Sequence, residues 1–461
     1  MQGRLRQGIA FWLAPLALTA GLLCAFGAAT AQAEHYRVTR HDDPRPGKCK
    51  HEDCSVREAV RAANRHPGRD MVVLPDRAPA YELSRHRSRH TDATSGDLDV
   101  TGPIIIRHGV RGRATIDARG VDRVLDLQRG ASTKLARLNV TGGSVGAGSS
   151  RAAKGATPGA GGGVLARARL RLVRTVVRGN RADSGGGIFT TAPLSLNHSR
   201  IRANRADVGG GIDALDTPVL IVRSALVANR AADAGGGLAV KGDTLRLGNS
   251  TVSRNVADGS GGGVHLAGAR SRITKSTVNG NVAHASGAGI YQSGSNLFLV
   301  NSTITGNRAG ATGGGVQSSV AGGDVTLNSV TVARNLANAA HGHALGGGLS
   351  AKGGSFGVVN SIVAENQAGA KANDCHGTFE SFGGNLMSTM AGCRGFAGSA
   401  LIAPNPKLGA LRDNGGPTET LALLQGSPAI GKANREREPA VDQRDRPRTV
   451  RPDIGAFERS P

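Results

Sequence analysis

The chain has 461 residues, 69 of them Gly and only 3% aromatic, and carries a formal net charge of +23. So few large side chains do not fill one compact core at this length; the composition suits a narrow core of small aliphatics. The charge favours acidic partners such as uronate polysaccharide, lipopolysaccharide or, without sequence selectivity, nucleic acid, and argues against specific nucleic-acid reading, for which no recognised motif and almost no stacking aromatics are present.

Residues 1–33 read as a signal peptide. Arg4 and Arg6 precede an apolar run from Ile9 to Ala29, and Ala31-Gln32-Ala33 is a small-residue cleavage site. Loss of those two Arg leaves +21. Cys24 follows bulky Leu23 and makes a poor lipoprotein cysteine, and no transmembrane span is expected in the mature chain.

Residues 34–97 read as an N-terminal cap. Cys54-Ser55-Val56-Arg57-Glu58-Ala59-Val60-Arg61-Ala62-Ala63-Asn64 predicts a short amphipathic helix with Ser55 as N-cap and Val56, Ala59, Val60 and Ala63 as its apolar stripe. A strand follows at Met71-Val72-Val73-Leu74-Pro75. An open solenoid end must be covered, or its edge would pair with other chains. The cluster Arg85-His86-Arg87-Ser88-Arg89-His90 adds to the basic surface.

Cys54-Ser55-Val56-Arg57-Glu58-Ala59 is similar to the CSLREA motif that follows the leader of many bacterial exported β-helix proteins, with Val56 in place of Leu. Leu98-Asp99-Val100-Thr101, Ile104-Ile105-Ile106 and Ala114-Thr115-Ile116-Asp117-Ala118 fit the usual continuation. The resemblance implies an exported parallel β-helix and no particular activity.

Residues 98–373 read as the repeat body. Its unit is Asn255-Val256-Ala257-Asp258-Gly259-Ser260-Gly261-Gly262-Gly263-Val264. Copies start at Asn180, Asn204, Asn229, Asn281, Asn307 and Asn335, with a degraded one at Asn366; successive subtraction gives 24, 25, 26, 26, 26, 28 and 31 residues. That period signals a solenoid. Three residues before each Asn stands an aliphatic (Val177, Ile201, Leu226, Val252, Val278, Ile304, Val332, Val363), and a second aliphatic column follows the glycines. Alternation with period two makes these short strands, about three per coil. The predicted fold is all-β: a right-handed parallel β-helix with coils of about 24–28 residues, a helical N-terminal cap and a C-terminal cap. Coils stack ~4.8 Å apart, so the Asn residues form a column at a bend whose amides bond from coil to coil. Ser144 to Ala160 is a Gly-rich loop thrown out of the coil, and Ala339 to Leu345 lengthens one bend. The repeats resemble those of polymorphic outer-membrane proteins.

Residues 374–461 differ again. Leu411-Arg412-Asp413-Asn414-Gly415-Gly416-Pro417-Thr418, Gly426-Ser427-Pro428-Ala429-Ile430-Gly431, Asp442-Gln443-Arg444 and Pro452-Asp453-Ile454-Gly455-Ala456-Phe457-Glu458 resemble the choice-of-anchor Q region, which often precedes a surface-sorting tail. No such tail follows Glu458 here, so release or another mode of attachment is expected. The four cysteines outside the leader, Cys49, Cys54, Cys375 and Cys393, allow three pairings; Cys49–Cys54 with Cys375–Cys393, one staple at each end, is preferred.

Candidate chemistry is sparse. The residue after each Gly-aliphatic step predicts an outward column, Leu165, Phe189, Asp213, Ala239, His265, Tyr291, Gln317 and Ser350. Phe189 and Tyr291 suit stacking on a sugar ring, Asp213 and His265 suit acid–base work, and Gln317 completes the candidate ligand-binding column. Asp213 and His265 stand two coils, about 10 Å, apart, and no second carboxylate of the column completes a glycosidase pair. Asp183, Asp207, Asp233 and Asp258 recur in the bend beside Arg181, Arg205 and Arg230, without a calcium repeat. His341-Gly342-His343 lacks a third ligand, so no metal is expected, and no cofactor is implied. Thr251, Thr277, Thr303 and Thr331 predict an outward Thr ladder.

The reading is a secreted or cell-surface β-helix binding protein, non-catalytic and adhesin-like, contacting acidic polysaccharide or cell-envelope polymers. The alternative is a polysaccharide lyase or glycoside hydrolase acting on uronic-acid glycans, marked by carboxylates clustered with Arg, Lys or His on one outward face. Oligomeric state is not legible.

Overall fold

A computed structural model describes residues 32–86, 94–109, 111–146, 159–319, 323–338, 344–396 and 398–459. The leader, Arg87 to His90 of the basic cluster, most of the Gly-rich loop after Ser144, and His341 with His343 lie outside the described residues. The chain coils as a right-handed parallel β-helix. Sheet I holds 12 strands, from Leu98–Val100 to Cys393–Arg394. Sheet II holds 13, from His35–Arg37 to Glu380–Ser381, and sheet III holds 13, from Tyr81–Glu82 to Ala400–Ile402. Each full coil visits I, II and III in turn, bends at the ladder Asn, and returns through the Gly run. Coiling thus begins at His35 and continues past residue 373.

The coil carries one element more than the repeat pattern predicts. Sheet IV, 8 strands from Arg205–Val208 to Lys371–Ala372, forms just after the Asn column. Its members are as short as Val256–Ala257, too brief to show alternation.

Inside, equal residues stack. Val177, Ile201, Leu226, Val252, Val278, Ile304, Val332 and Val363 pair rung to rung and are all fully buried. Each contributes roughly 1.5–3 kcal/mol by leaving water.

Each ladder Asn stands at the bend but does not supply its left-handed residue. The left-handed residue is the one before it: Gly179, Ala203, Ala228, Arg254, Gly280, Gly306, Arg334 and Glu365 have φ between 53° and 65°. Asn is present for its amide. Asn229 donates its backbone N–H (2.9 Å) and its Nδ2 (3.0 Å) to Asn255 Oδ1, while its Nδ2 also donates to Ile201 O at 3.0 Å. The pattern repeats from Asn180 through Asn204, Asn229, Asn255, Asn281, Asn307 and Asn335 to Asn366. It ends on Asp374, whose Oδ1 accepts from Asn366 and whose Oδ2 accepts from Ser388 and Thr389. A second ladder runs along the corner between sheets II and III. There Ser199, Ser224, Ser250, Ser276 and Ser302 each accept the backbone N–H of the coil before.

The helix Val56–Arg65 lies against the first strands of sheets I and II, and Val56, Ala59, Val60 and Ala63 join the main core. Each position of the CSLREA-like motif has a task. Cys54 bonds Cys49. Ser55 and Glu58 form a reciprocal capping box. Arg57 is buried and grips both oxygens of Asp43 at 2.8 and 2.9 Å, and its remaining donors reach Gly96 O and Asp97 O. The second disulfide joins Cys375 to Cys393, so both preferred pairings are present.

Residues 403–459 do not continue the coil. Leu408–Arg412 and Thr420–Leu423 form an antiparallel hairpin, and Leu408, Leu421, Leu423, Ala429, Ile454 and Phe457 pack on Ala333, Ile362, Ala364 and Leu386 along the flank of sheet III. The predicted outward Thr ladder is corrected here: Thr277, Thr303 and Thr331 are buried beneath this segment. Gln443 inserts between two of them, accepting from Thr303 Oγ1 at 2.7 Å and donating to Thr277 Oγ1 at 3.0 Å. Ala456 N donates to Thr331 Oγ1, Arg448 reaches Asn301, and Lys275 pairs with Asp445. Asp442 accepts from Arg444 and from the backbone of Arg446 and Glu458, which holds the segment's own turns.

Candidate functional site

The predicted column on sheet I is in register: Leu165, Phe189, Asp213, Ala239, His265, Tyr291, Gln317 and Ser350 pair rung to rung. It is not an open face. The first glycine of each run turns back over it; a Cβ on Gly261 would stand 2.7 Å from His265 Cβ, and one on Gly287 2.7 Å from Tyr291 Cβ. Phe189 is 5% exposed, in a small cluster with Ala160 and Leu165, and Gln317 is 1% exposed and accepts from Thr312. Neither offers surface to a ligand.

Asp213, His265 and Tyr291 remain half-buried along the column. Burial pushes the Asp213 carboxyl up to about 7, against the opposing pull of a Ser184 hydrogen bond and the Lys241 ammonium. Burial holds His265 below its ordinary value, opposed by Asp233. The His265 and Tyr291 rings stack, centroids 5.1 Å apart and 7° from parallel. Ala239 separates Asp213 from His265, so the two side chains do not form one acid–base pair.

The same column extends downward through Asp126 to Asp99, which the sequence reading did not include. Both lie between inward aliphatics, Leu98-Asp99-Val100 and Leu125-Asp126-Leu127, and that shared triplet was the available signal. Around them the structure gathers carboxylates and guanidinium groups. Arg123 stands 3.3 Å from Asp97 and 3.2 Å from Asp126; Arg167 reaches Asp126 and Gln128 at 2.7 Å; Gln128 donates to Asp99 at 3.2 Å. Asp97, Arg123 and Asp126 are at most 5% exposed, which closes them to a polymer. Desolvation drives the Asp97 carboxyl well above the usual carboxylate range, opposed by Arg123. The network joins early coils and offers no open reaction centre.

Of the bend aspartates, Asp258 binds Arg230 at 2.9 Å and lies 3.1 Å from His284. Among the described residues no group of three potential metal ligands occurs.

Sheet III carries an open site. Below the docked C-terminal segment it presents an open depression of about 820 Å³ lined by Arg113, His198, Arg200, Arg202 and Arg223, with Asn139, Asn249 and Pro417 at its margins. No carboxylate lines it. Arg200 and Arg202 project from one strand, and His198 and Arg223 stand at the sheet II–III corner with left-handed φ of 49° and 46°. Arg113 Nε is fixed on Arg174 O at 2.8 Å; Arg200, Arg202 and Arg223 are exposed and make no side-chain ion pair among the described residues. Four guanidinium groups so placed, with no carboxylate among the lining residues, are chemically suited to carboxylate, sulfate or phosphate groups.

No protein-family model matches the sequence, and no curated protein matches it. Among solved structures, the chain is similar to a crystal structure of pectate lyase Pel9A: 14% identity, TM-score 0.43, covering 94% of this chain and 98% of that chain. Among the described residues no helix is long and apolar enough to cross a membrane.

Proposed function

We propose that this chain is an exported, non-catalytic binding protein that holds acidic polysaccharide or envelope polymer in the arginine-lined depression of sheet III. The observation that carries the reading is that depression: Arg113, Arg200, Arg202 and Arg223 line it with no acid among the lining residues. A uronate chain lying along it meets Arg200 and Arg202 on one coil and Arg223 on the next, with backbones ~4.8 Å apart, and a guanidinium–carboxylate contact can be bidentate. The two disulfides are compatible with an oxidising, extracellular setting. In this reading residues 1–33 are a cleaved leader and the helix Val56–Arg65 closes the first coil as a CSLREA-type cap. Residues 98–373 are the binding body, and residues 374–461 are a choice-of-anchor Q-like region that also ends the coil.

The test is binding of polygalacturonate and alginate to residues 34–461 at rising salt. Wild type should bind with salt-sensitive affinity, and the triple variant Arg200→Gln, Arg202→Gln, Arg223→Gln should lose most of it. Undiminished binding by that variant would refute the site.

The second reading is a uronate-specific lyase or hydrolase, favoured by Asp213, which is half-buried on sheet I with its carboxyl pushed up to about 7 and so suits proton transfer at neutral pH. Release of unsaturated or reducing ends from these polymers, abolished by Asp213→Asn, would establish it and displace the non-catalytic reading.

A further inference from the structure

A second basic surface lies on another flank and differs in kind. The outward column of sheet II runs Lys134, Arg171, Ser195, Leu220, Arg246, Arg272 and Phe298, paired rung to rung, with no carboxylate in the run. Arg246 and Arg272 occupy adjacent rungs, ~4.8 Å apart at the backbone, with Arg270 beside them, and none of the three makes an ion pair among the described residues. Like charges stacked this way repel, and an external anion relieves that repulsion.

The arginines are bracketed by apolar side chains. Leu220 is 43% exposed on one side and Phe298 41% exposed on the other, and together with Arg246, Arg270 and Arg272 they line an open depression of about 500 Å³. The sheet III depression has no exposed large apolar residue among its lining. A hydrated polysaccharide gains little from Phe and Leu at the rim of its site. A phospholipid surface uses both: phosphates meet the cations, and the apolar side chains enter the boundary between headgroups and acyl chains.

We propose that the sheet II flank between Leu220 and Phe298 docks on an anionic phospholipid surface, with Arg246, Arg270 and Arg272 on lipid phosphates and Leu220 and Phe298 as shallow apolar anchors. The two flanks then have separate partners: lipid against sheet II and acidic polymer against sheet III.

The experiment is vesicle co-sedimentation of residues 34–461, which contain the whole described fold. Vesicles of phosphatidylcholine alone are compared with vesicles containing phosphatidylglycerol. Wild type should bind only the anionic vesicles. Arg246→Gln with Arg272→Gln should lower partitioning about tenfold or more, and Leu220→Ser with Phe298→Ser should lower it by a similar factor. Both pairs are outward-facing, and unchanged melting temperatures would show that the coil is intact. The sheet III triple variant should bind vesicles as wild type does, which separates this result from failure of the polymer site. Equal binding to neutral vesicles, no binding to either, or indifference to both pairs would overturn the proposal. So would full competition by soluble alginate combined with no effect of the Leu220/Phe298 pair, an outcome that would assign this flank to polysaccharide.

Discussion

Asn255→Ala tests the ladder most directly. Asn255 Oδ1 accepts both the backbone N–H and the Nδ2 of Asn229, at 2.9 and 3.0 Å, and Asn255 is fully buried. Removal strands both donors in the coil before and takes the Nδ2 donor from Leu226 O. Asn281 Oδ1 loses the Asn255 Nδ2 donor but keeps its bond from Asn255 N and stays satisfied, so the stranded groups lie toward the N-terminus. At about 1–3 kcal/mol per stranded buried group, the two donors alone cost about 2–6 kcal/mol. The comparison is Asn296→Ala, which breaks one exposed bond from Asp324 N and should cost no more than about 1 kcal/mol. Urea unfolding gives the totals, and native-state hydrogen exchange gives the location. The Asn229 amide should lose protection while the Asn307 amide keeps it. Equal losses for the two variants, or exchange rising evenly along the rod, would refute the reasoning.

Three further outcomes follow from the structure. Ala228 sits at φ 54° in a column where Gly179, Gly280 and Gly306 hold the same place, so Ala228→Gly should be neutral or stabilise by up to about 1 kcal/mol; a clear loss of melting temperature would contradict the strain argument. Thr303→Val leaves Gln443 Oε1 without its donor under the docked segment; limited proteolysis within residues 403–419 should quicken, with the coil itself unaffected, and unchanged cleavage would show that this bond does not hold the segment. The Asp213 carboxyl, raised to about 7, stays protonated in the folded chain where the unfolded chain has ionised. The folded state therefore binds more protons between about pH 4 and 7, and this group's contribution is complete below about pH 4 and lost as pH rises toward 7. Asp213→Asn should flatten that part of the stability–pH curve by up to about 1.4 kcal/mol per pH unit; an unchanged slope would place the carboxyl in water.

Much of this was visible in the residues because the helix repeats itself. Val252, Val278 and Ile304 announce a core column, and Asn255, Asn281 and Asn307 a polar one, since stacking makes vertical neighbours of residues a fixed interval apart. The Ser250, Ser276 and Ser302 ladder was equally periodic, but a hydroxyl beginning a strand looks like ordinary strand polarity until its acceptor role is seen. What lay hidden has no interval. The bonds of Gln443 to Thr277 and Thr303 span 166 and 140 residues, so the Thr column read as outward when it was a docking face. The column at Phe189 and Gln317 is buried by its own Gly runs, a closure set by backbone geometry that side-chain identity does not reveal. The arginines of the sheet III depression come from several coils and two kinds of position, strand and corner, and no linear motif joins them.

The amide ladder hands each coil the same terms at its upper and lower faces: one oxygen and one hydrogen offered below, two hydrogens offered above. Whole coils are therefore interchangeable cassettes, and an in-frame gain or loss of one would leave every neighbour matched. The docked segment limits where that freedom applies. Its grip at Lys275, Thr303, Thr331 and Asn360 measures a fixed number of rungs, so changes of rod length belong upstream, among the coils from Asn180 to Asn255.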